Sequence, residues 1–341
     1  GQAQLVGEEW REAWRQHRSH IVGNPARYRR DERHMEALRM DYARDDERVE
    51  ASGAVLFSEG ARMLGAQTMV YDSRRDVLRA GGGVSVRDNA WEGVLSGDSL
   101  FFDLSAERGW LSGTPQLRSR EENDLRWEAD SMYFDMAARA LVGDGQSALS
   151  SGHVRIHSQR SHYAAEAQRF AFGVGVVLER RTDGAVDGYR IEADSMVVLF
   201  EDGVAQRAEM DGALSGRVAM DGERTSWLSG SGGAFVLRDD RLQQVELSSA
   251  ADVTYHHAGR DEVSRFRGDS MVLHFDEEGL YRVHVEGGAH LQSRLVRAEG
   301  EATVNSVEGS EMDIHFVDGS LASVQVGPGI EGLYEIGRAH V

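Results

Sequence analysis

The sequence predicts an all-β fold, a long antiparallel sandwich or open-sided jelly roll built from serial hairpins. Three observations predict it. One hairpin pattern recurs along most of the chain, apolar side chains within each copy alternate with period two, and glycine (39) far outnumbers proline (3). Proline removes a donor from a strand ladder, whereas glycine supplies the positive φ that tight turns need. At 341 residues and 40% apolar, the chain is large enough to bury a real core.

In chain order the copies begin with "MEALRMDYARDDERVEASGAVLF" from Met35, "GAQTMVYDSRRDVLRAGGGVSV" from Gly65 and "SGDSLFFDLSAERGWLSG" from Ser96. "EADSMYFDMAARALVGDG" from Glu128, "EADSMVVLFEDGVAQRAEMDG" from Glu192 and a degenerate "SGSGGAFVLRDDRLQQVELSS" from Ser229 follow. "RGDSMVLHFDEEGLYRVHVEGGA" from Arg267 and "EGSEMDIHFVDGSLASVQVGPG" from Glu308 complete the series. The spacing drifts by several residues between copies, which fits hairpins with variable loops better than a rigid solenoid.

Within one copy Met271, Leu273 and Phe275 share a face, and Ser270, Val272 and His274 share the other. The same parity recurs at Met196, Val198 and Phe200, and at Met312, Ile314 and Phe316. After an Asp/Glu/Gly turn, the return strand adds Val283 and Val285 to the apolar face. A sheet with one such face must cover it with a second sheet or by curling back. The stripe, which also takes in Met69, Met132 and Phe134, is rich in flexible or aromatic side chains that adapt to irregular apolar partners such as acyl chains. A stripe of this kind is also what an ordinary dry sandwich core requires, and the spacing alone favours that blander reading.

Helical periodicity is weak except in "EEWREAWRQHR", Glu8 to Arg18, where Trp10 and Trp14 stand four apart. Residues 1–22 are therefore an unassigned N-terminal segment, and 23–334 are expected to form one continuous run of repeats. The chain starts at Gly1 without Met, and Glu335–Val341, "EIGRAHV", reads as the translation of a sequencing adapter. The expectation is a truncated gene whose signal peptide or anchor was lost.

A net charge of −19 with dispersed carboxylates argues against a nucleic-acid partner, which requires a basic stripe. Cysteine is absent, which excludes disulfides and thiolate metal sites, and all 38 basic residues are arginine. No stretch approaches the ~18 apolar residues of a membrane-spanning helix.

The residues that could carry chemistry each have a plainer reading. Arg267-Gly268-Asp269 spells an adhesive tripeptide, but other copies have Glu-Ala-Asp or Ser-Gly-Asp there, so the slot reads as the start of a strand. His256 and His257 lack a third ligand at a fixed spacing and read as neutral surface histidines. Gly230, Gly232 and Gly233 precede a strand, not the helix a phosphate-cradling loop needs. The carboxylates Asp276, Glu277, Glu278 and Asp318 fall at turns, and no nucleophile elbow or zinc helix is present. The sequence thus predicts no catalytic residues, no metal site, no cofactor and no enzyme.

The run "GNPARYRR", Gly23 to Arg30, leading into "MEALRMDYARDDERVEASGAVLF", then the serial A/G-D-S-M-x-Φ-x-F-D copies and the closing "MDIHFVDGSLASVQVGPGIEGLY", resembles the LptA/OstA-like proteins of lipopolysaccharide transport. The resemblance covers about residues 23–334. It implies an extended antiparallel β-jelly-roll of taco shape in the periplasm, with an interior that carries lipid A acyl chains. The groove would be lined by Met69, Tyr71, Met132, Phe134, Met196, Val198, Phe200, Met271, Leu273, Phe275, Met312, Ile314 and Phe316. Its partners would be lipopolysaccharide and like β-jelly-roll domains, or further copies of itself, joined edge to edge. The chain is longer than a simple bridge protein of this type, so an extended bridge and the soluble part of a larger assembly protein both fit. The alternative from another class is an extracellular structural or adhesive β-repeat protein, with the same stripe as dry core.

Overall fold

The computed structural model describes residues 4–338 apart from 14–16, 90, 92, 120–124, 182–187, 202–203, 221, 239–240, 297–300 and 328–330. The chain forms two compact units, one of residues 1–149 and 160–168, the other of 150–159 and 169–341. Among the described residues there is no α-helix; two single 3-10 turns, Ala165–Ala167 and Ala258–Arg260, interrupt an otherwise all-strand chain.

Strands of the first unit are β1 (Gln4–Val6), β2 (Glu9–Ala13), β3 (Arg18–Arg30), β4 (Arg33–Ala43), β5 (Arg48–Glu59), β6 (Arg62–Asp72), β7 (Val77–Arg87) and β8 (Gly93–Asp103). β9 (Arg108–Ser112), β10 (Gln116–Ser119), β11 (Arg126–Glu128), β12 (Ser131–Asp135) and most of β13 (Ala140–Ser151) follow. β14 (Val154–Ala164) contributes residues to both units. The second unit continues with β15 (Arg169–Arg181), β16 (Gly188–Glu201), β17 (Val204–Ala219), β18 (Arg224–Arg238), β19 (Arg241–Leu247) and β20 (Ala251–His257). It closes with β21 (Glu262–Gly268), β22 (Ser270–Asp276), β23 (Gly279–Val296), β24 (Glu301–Val317), β25 (Ser320–Val326) and β26 (Glu331–Arg338). Part of the segment left unassigned by periodicity is therefore strand: β1 and β2 both pair with β3. Trp10 lies in β2, and Trp14 lies outside the described residues. Residues 335–338 of the suspected adapter tail pair with β24, and 339–341 lie outside the described residues.

Most long strands are interrupted by a register shift near their middle, as at Ser52/Val55 in β5, Gly81/Val84 in β7, Met210/Ala213 in β17 and Glu286/Ala289 in β23. On either side of the shift a strand belongs to a different antiparallel ladder. The split is explicit where the strand breaks. β8 pairs through residues 99–103 with β9 and through 93–96 with β10, and β18 pairs through 233–238 with β19 and through 224–229 with β20. Each unit thus has two ladders joined along a bulged corner. One carries the Met-x-Φ-x-Phe segments and is called the Met ladder; the other is the facing ladder.

The corner explains the A/G-D-S motif. Asp98, Asp130, Asp194 and Asp269 stand at the shift, and each lies over a glycine of the next strand in positive φ: Gly113 (77°), Gly145 (90°), Gly212 (83°) and Gly287 (72°). An added Cβ at Gly145 would meet Asp130 Oδ2 at 2.2 Å, and at Gly212 would meet Asp194 Oδ2 at 2.2 Å. The same carboxylates accept the next backbone N–H, from Gln146 at 3.0 Å and Ala213 at 2.9 Å. The aspartate caps the bulge, and glycine is the residue that can stand beneath it. Asp269 of the Arg-Gly-Asp tripeptide is such a corner, and Arg267 is held by Asp252 at 3.2 Å.

Crossing the corner inverts parity. Buried Trp127 and Ala129 are odd, whereas Met132 and Phe134 beyond Asp130 are even; buried Phe266 is even, whereas Met271 and Leu273 are odd. A strand that turns from one sheet to the other with an extra residue must change which set points inward. The ladders then meet face to face. Tyr28 of the facing ladder contacts Tyr71 of the Met ladder with centroids 6.3 Å apart, and Phe316 contacts Tyr255 and Phe266 at 5.1 and 6.0 Å. Each unit is an antiparallel β-jelly-roll of taco section, folded along the aspartate-glycine corner, with its mouth at the hairpin turns.

Candidate functional site

All thirteen predicted groove residues lie on the Met ladders. Tyr71, Met69, Met132 and Phe134 belong to the first unit, and the residues of β16, β22 and β24 to the second. Twelve are buried; Phe200 is half-buried and lies edge-on to Phe170, with centroids 5.5 Å apart. The opposite wall went unread in the sequence. It consists of facing-ladder residues such as Tyr28, Phe57, Trp127, Ile191, Tyr255 and Phe266. A signal for it existed: apolar residues before each corner aspartate alternate as regularly as those after it, in the other parity.

Some polar groups inside the slot are satisfied locally, whereas the buried Trp91 indole N–H, packed edge-on to Phe134, has no partner among the described residues. Trp127 Nε1 donates to the Ser147 and Ser161 hydroxyls, both at 2.9 Å, and Ser264 donates to Ser293 at 3.1 Å. Burying an indole N–H without a partner would be costly, and two serines across the strands remove that cost.

The mouth is where the two lips of hairpin turns approach. In the first unit arginines reach across it from the facing lip. Arg30 donates to Glu47 at 2.8 Å and to the Ser73 hydroxyl at 2.6 Å. Arg33 donates to Glu59 at 2.5 Å on its own lip, and across the mouth to the Tyr71 hydroxyl at 2.5 Å and to Asp76 at 3.0 Å. Arg62 holds Asp88 and Glu59 on its own side, reaches Glu107 at 3.3 Å across the mouth, and lies over the Phe102 ring at 5.0 Å. Glu47, Asp76 and Glu107 occupy equivalent left-handed turn positions, with φ of 50°, 56° and 54°. Burial opposes the charge of Arg33, but hydrogen bonds to Asp76, Glu59 and Tyr71 outweigh it and hold its pKa above the ordinary value. Burial pushes the Tyr71 phenol up to about 12, even though Arg33 pulls the other way. The hydrogen bond from Arg30 holds the Glu47 carboxyl below its usual range. A cleft of ≈ 430 Å³ lined by Arg30, Arg33, Glu59, Tyr71, Ser73 and Asp76 marks this clasp.

The mouth of the second unit is joined differently. Arg224 donates to the Glu278 carbonyl, Arg260 to the Ser320 hydroxyl at 2.6 Å, and the Tyr255 hydroxyl to the Gly319 carbonyl at 2.6 Å. Beside these bridges lies a cleft of ≈ 530 Å³ between the lips, its walls including Tyr189, Val218, Met220 and Leu242, with Arg180 and Arg241 among its polar lining.

Other sequence candidates take structural places. Asp276 accepts the backbone N–H groups of Glu278 and Gly279 within its own turn. His257 is not a surface histidine: it is 7% exposed in β20, with Glu223 3.8 Å from its Nε2, while His256 packs near the Trp227 ring. Ligand atoms of His284, Glu311 and Asp313 lie within 4.8 Å of one another. Asp313 is bound by Arg282 at 2.7 Å, and although burial raises its carboxyl pKa, Arg282 brings it below the ordinary range. The group reads as an ion-pair network on the outer sheet face.

Fold and interior define an all-β, hairpin-repeat jelly-roll with an apolar slot and a polar mouth. No family model matches the chain, and no curated protein matches it. Among solved structures it is similar to LptH, described as the LptA-homologous periplasmic component of the conserved lipopolysaccharide transport device from Pseudomonas aeruginosa. The two share 8% identity with a TM-score of 0.19, over 54% of this chain and 86% of that one.

Proposed function

We propose that the slot is a lipid path: a periplasmic lipopolysaccharide-binding bridge or transport component that carries acyl chains between the Met and facing ladders. The observation that carries the reading is the construction of the mouth. The apolar faces of two ladders are joined covalently only along the corner, and the other side is held by arginine pairs and single hydrogen bonds that can part and re-form. Lipid would enter by separating the lips and would replace the cross-ladder contacts with acyl contacts of similar polarity. Like domains would join at β1 and β2, or at β25 and β26, each of which has a single strand neighbour among the described residues. The reading needs neither a cofactor nor catalysis.

A structural or adhesive repeat is the second reading, and one observation favours it: Met132, Phe134, Leu273, Met312 and Ile314 are 0% exposed, as a dry core would have them. Photo-crosslinking separates the two. Probes at Met132, Phe134, Met196 or Met271 should capture lipopolysaccharide, and probes at Tyr133, His274 or His315 on the outward parity should not. Absence of capture at every inward site, under conditions where the variants fold, would overturn the lipid reading.

A further inference from the structure

The outer face of the second unit's facing ladder carries a cleft that the slot does not use. Five residues stand in one row across five strands: Arg190 opposite Arg217, Arg217 opposite Trp227, Trp227 opposite Thr254 and Thr254 opposite Arg265. The neighbouring row holds Glu192, Ser215, Ser229 and Asp252. Together they line a depression of ≈ 580 Å³. Trp227 is 45% exposed at its centre, and its ring centroid lies 6.3 Å from that of His256.

Charge is distributed unevenly in this cleft. Arg190 is neutralised by Glu192 at 2.9 Å and Glu179 at 3.3 Å, and Arg265 by Asp252 at 2.5 Å. Arg217 has no carboxylate partner among the described residues, although it faces Arg190 directly across the strands and the chain as a whole carries −19. The charge of Arg190 is met by its two carboxylates, which leaves the exposed Arg217 as the guanidinium of this cleft that can meet an anion from outside.

We infer that this cleft binds an acidic saccharide. The apolar face of a sugar ring stacks on the exposed indole, and its hydroxyl edge meets Ser215, Ser229, Thr254 and the fixed Asp252 carboxylate. A carboxylate or phosphate substituent lies on Arg217. An aromatic anion such as a nucleotide shares the stacking and the charge, but brings fewer hydroxyls to Ser215, Ser229 and Thr254 than a sugar oligomer does. The inference is independent of the lipid reading, since every residue in it points away from the slot.

The test is calorimetric titration of the whole chain with tetragalacturonate, a phosphorylated hexose oligomer, neutral maltotetraose and adenosine monophosphate. Acidic oligomers should bind at least tenfold tighter than maltotetraose, and the two acidic arms decide between carboxylate and phosphate. Trp227→Ala should lower acidic-oligomer affinity at least tenfold. Arg217→Ala should abolish the preference for acidic over neutral oligomers. Arg155→Ala, at an exposed position outside the cleft, should change neither, and circular dichroism checks that each variant folds. Tighter binding of the nucleotide than of either acidic oligomer, equal binding by Trp227→Ala, or no binding of any acidic oligomer at millimolar concentration overturns it.

Discussion

The first unit closes its mouth with ion pairs, the second mainly with hydrogen bonds to neutral acceptors, joined by one from the Leu321 N–H to the Glu262 carboxylate, although both close the same kind of interior. Arg30, Arg33 and Arg62 meet Glu47, Asp76 and Glu107 across the first mouth. Arg224, Arg260 and Tyr255 meet two carbonyls and a hydroxyl across the second. The difference teaches that interior packing and lip closure are separate design elements. Partly buried ion pairs are weakened by acid and, to a smaller extent, by salt, while hydrogen bonds to backbone carbonyls depend much less on either. On the lipid reading, the two units would then open under different conditions.

If the interiors are equivalent, the largest effects should be the same in both units. Met69 and Met196 are each 1% exposed at matching Met-ladder positions. Met69→Asp and Met196→Asp should each destabilise their own unit by about 3–5 kcal/mol, the penalty of burying an unpaired charge. The Leu variants should cost under about 1.5 kcal/mol. Hydrogen exchange resolved by unit measures both. Tolerance of Asp in one unit alone would show that its interior is hydrated and would break the equivalence.

The corner should come next, again alike in both units. Gly145→Ala and Gly212→Ala force a side chain into positive φ against a capping aspartate, at about 1–3 kcal/mol or more. Asp130→Ala and Asp194→Ala keep the glycine and lose one hydrogen bond each, about 1 kcal/mol. Thermal unfolding of the four variants orders them. A corner in which alanine is harmless would mean that the bulge, and not the glycine, sets the fold line.

What was legible in the sequence was local and periodic. Met271, Leu273 and Phe275 announce an inward stripe because strand parity is two, and "DEEG" announces its own turn because Asp276 can cap it. The facing wall was missed because the bulge at each aspartate inverts parity, so one continuous count across Trp127 and Met132 assigns them to opposite faces. The N-terminal strands were missed because Glu8 to Arg18 carries competing helical spacing and is strand only through pairing with β3. The clasp could not be read from either lip alone. Arg33 and Asp76 are 43 residues apart, and only the closed fold brings them together. A recurring turn acid at Glu47, Asp76 and Glu107 was the available hint.

A smaller effect should separate the mouths. Arg33→Gln leaves Asp76 partly buried without its cation and Glu59 with Arg62 alone, and should destabilise the first unit by about 1–3 kcal/mol. Arg224→Gln removes a bond to one carbonyl in the second, about 0.5–1.5 kcal/mol. Equal losses would remove the contrast on which the different opening conditions rest.

The smallest effect gives the sign of the pH dependence. The hydrogen bond from Arg30 lowers the Glu47 pKa below the 4.5 of an unperturbed carboxyl. A carboxylate with a depressed native pKa contributes stability that is present above its unfolded value and lost as pH falls through the native one. The contribution of Glu47 is therefore intact at pH 7, declines as pH falls below 4.5, and is gone once the native carboxyl is protonated. Glu47→Gln keeps the shape and removes the charge, so its unfolding midpoint should lie below that of the parent at pH 7 and approach it under acid. High salt at pH 7 should narrow the gap in the same way, because the pair is solvent-screened. The corresponding comparison in the second unit, Ser320→Ala opposite Arg260, removes a neutral acceptor that does not titrate, and its effect should stay constant across the same pH range. A Glu47→Gln gap that persists unchanged to pH 3 would mean that the carboxamide loses packing and not charge, and the first mouth would not be an acid-sensitive closure.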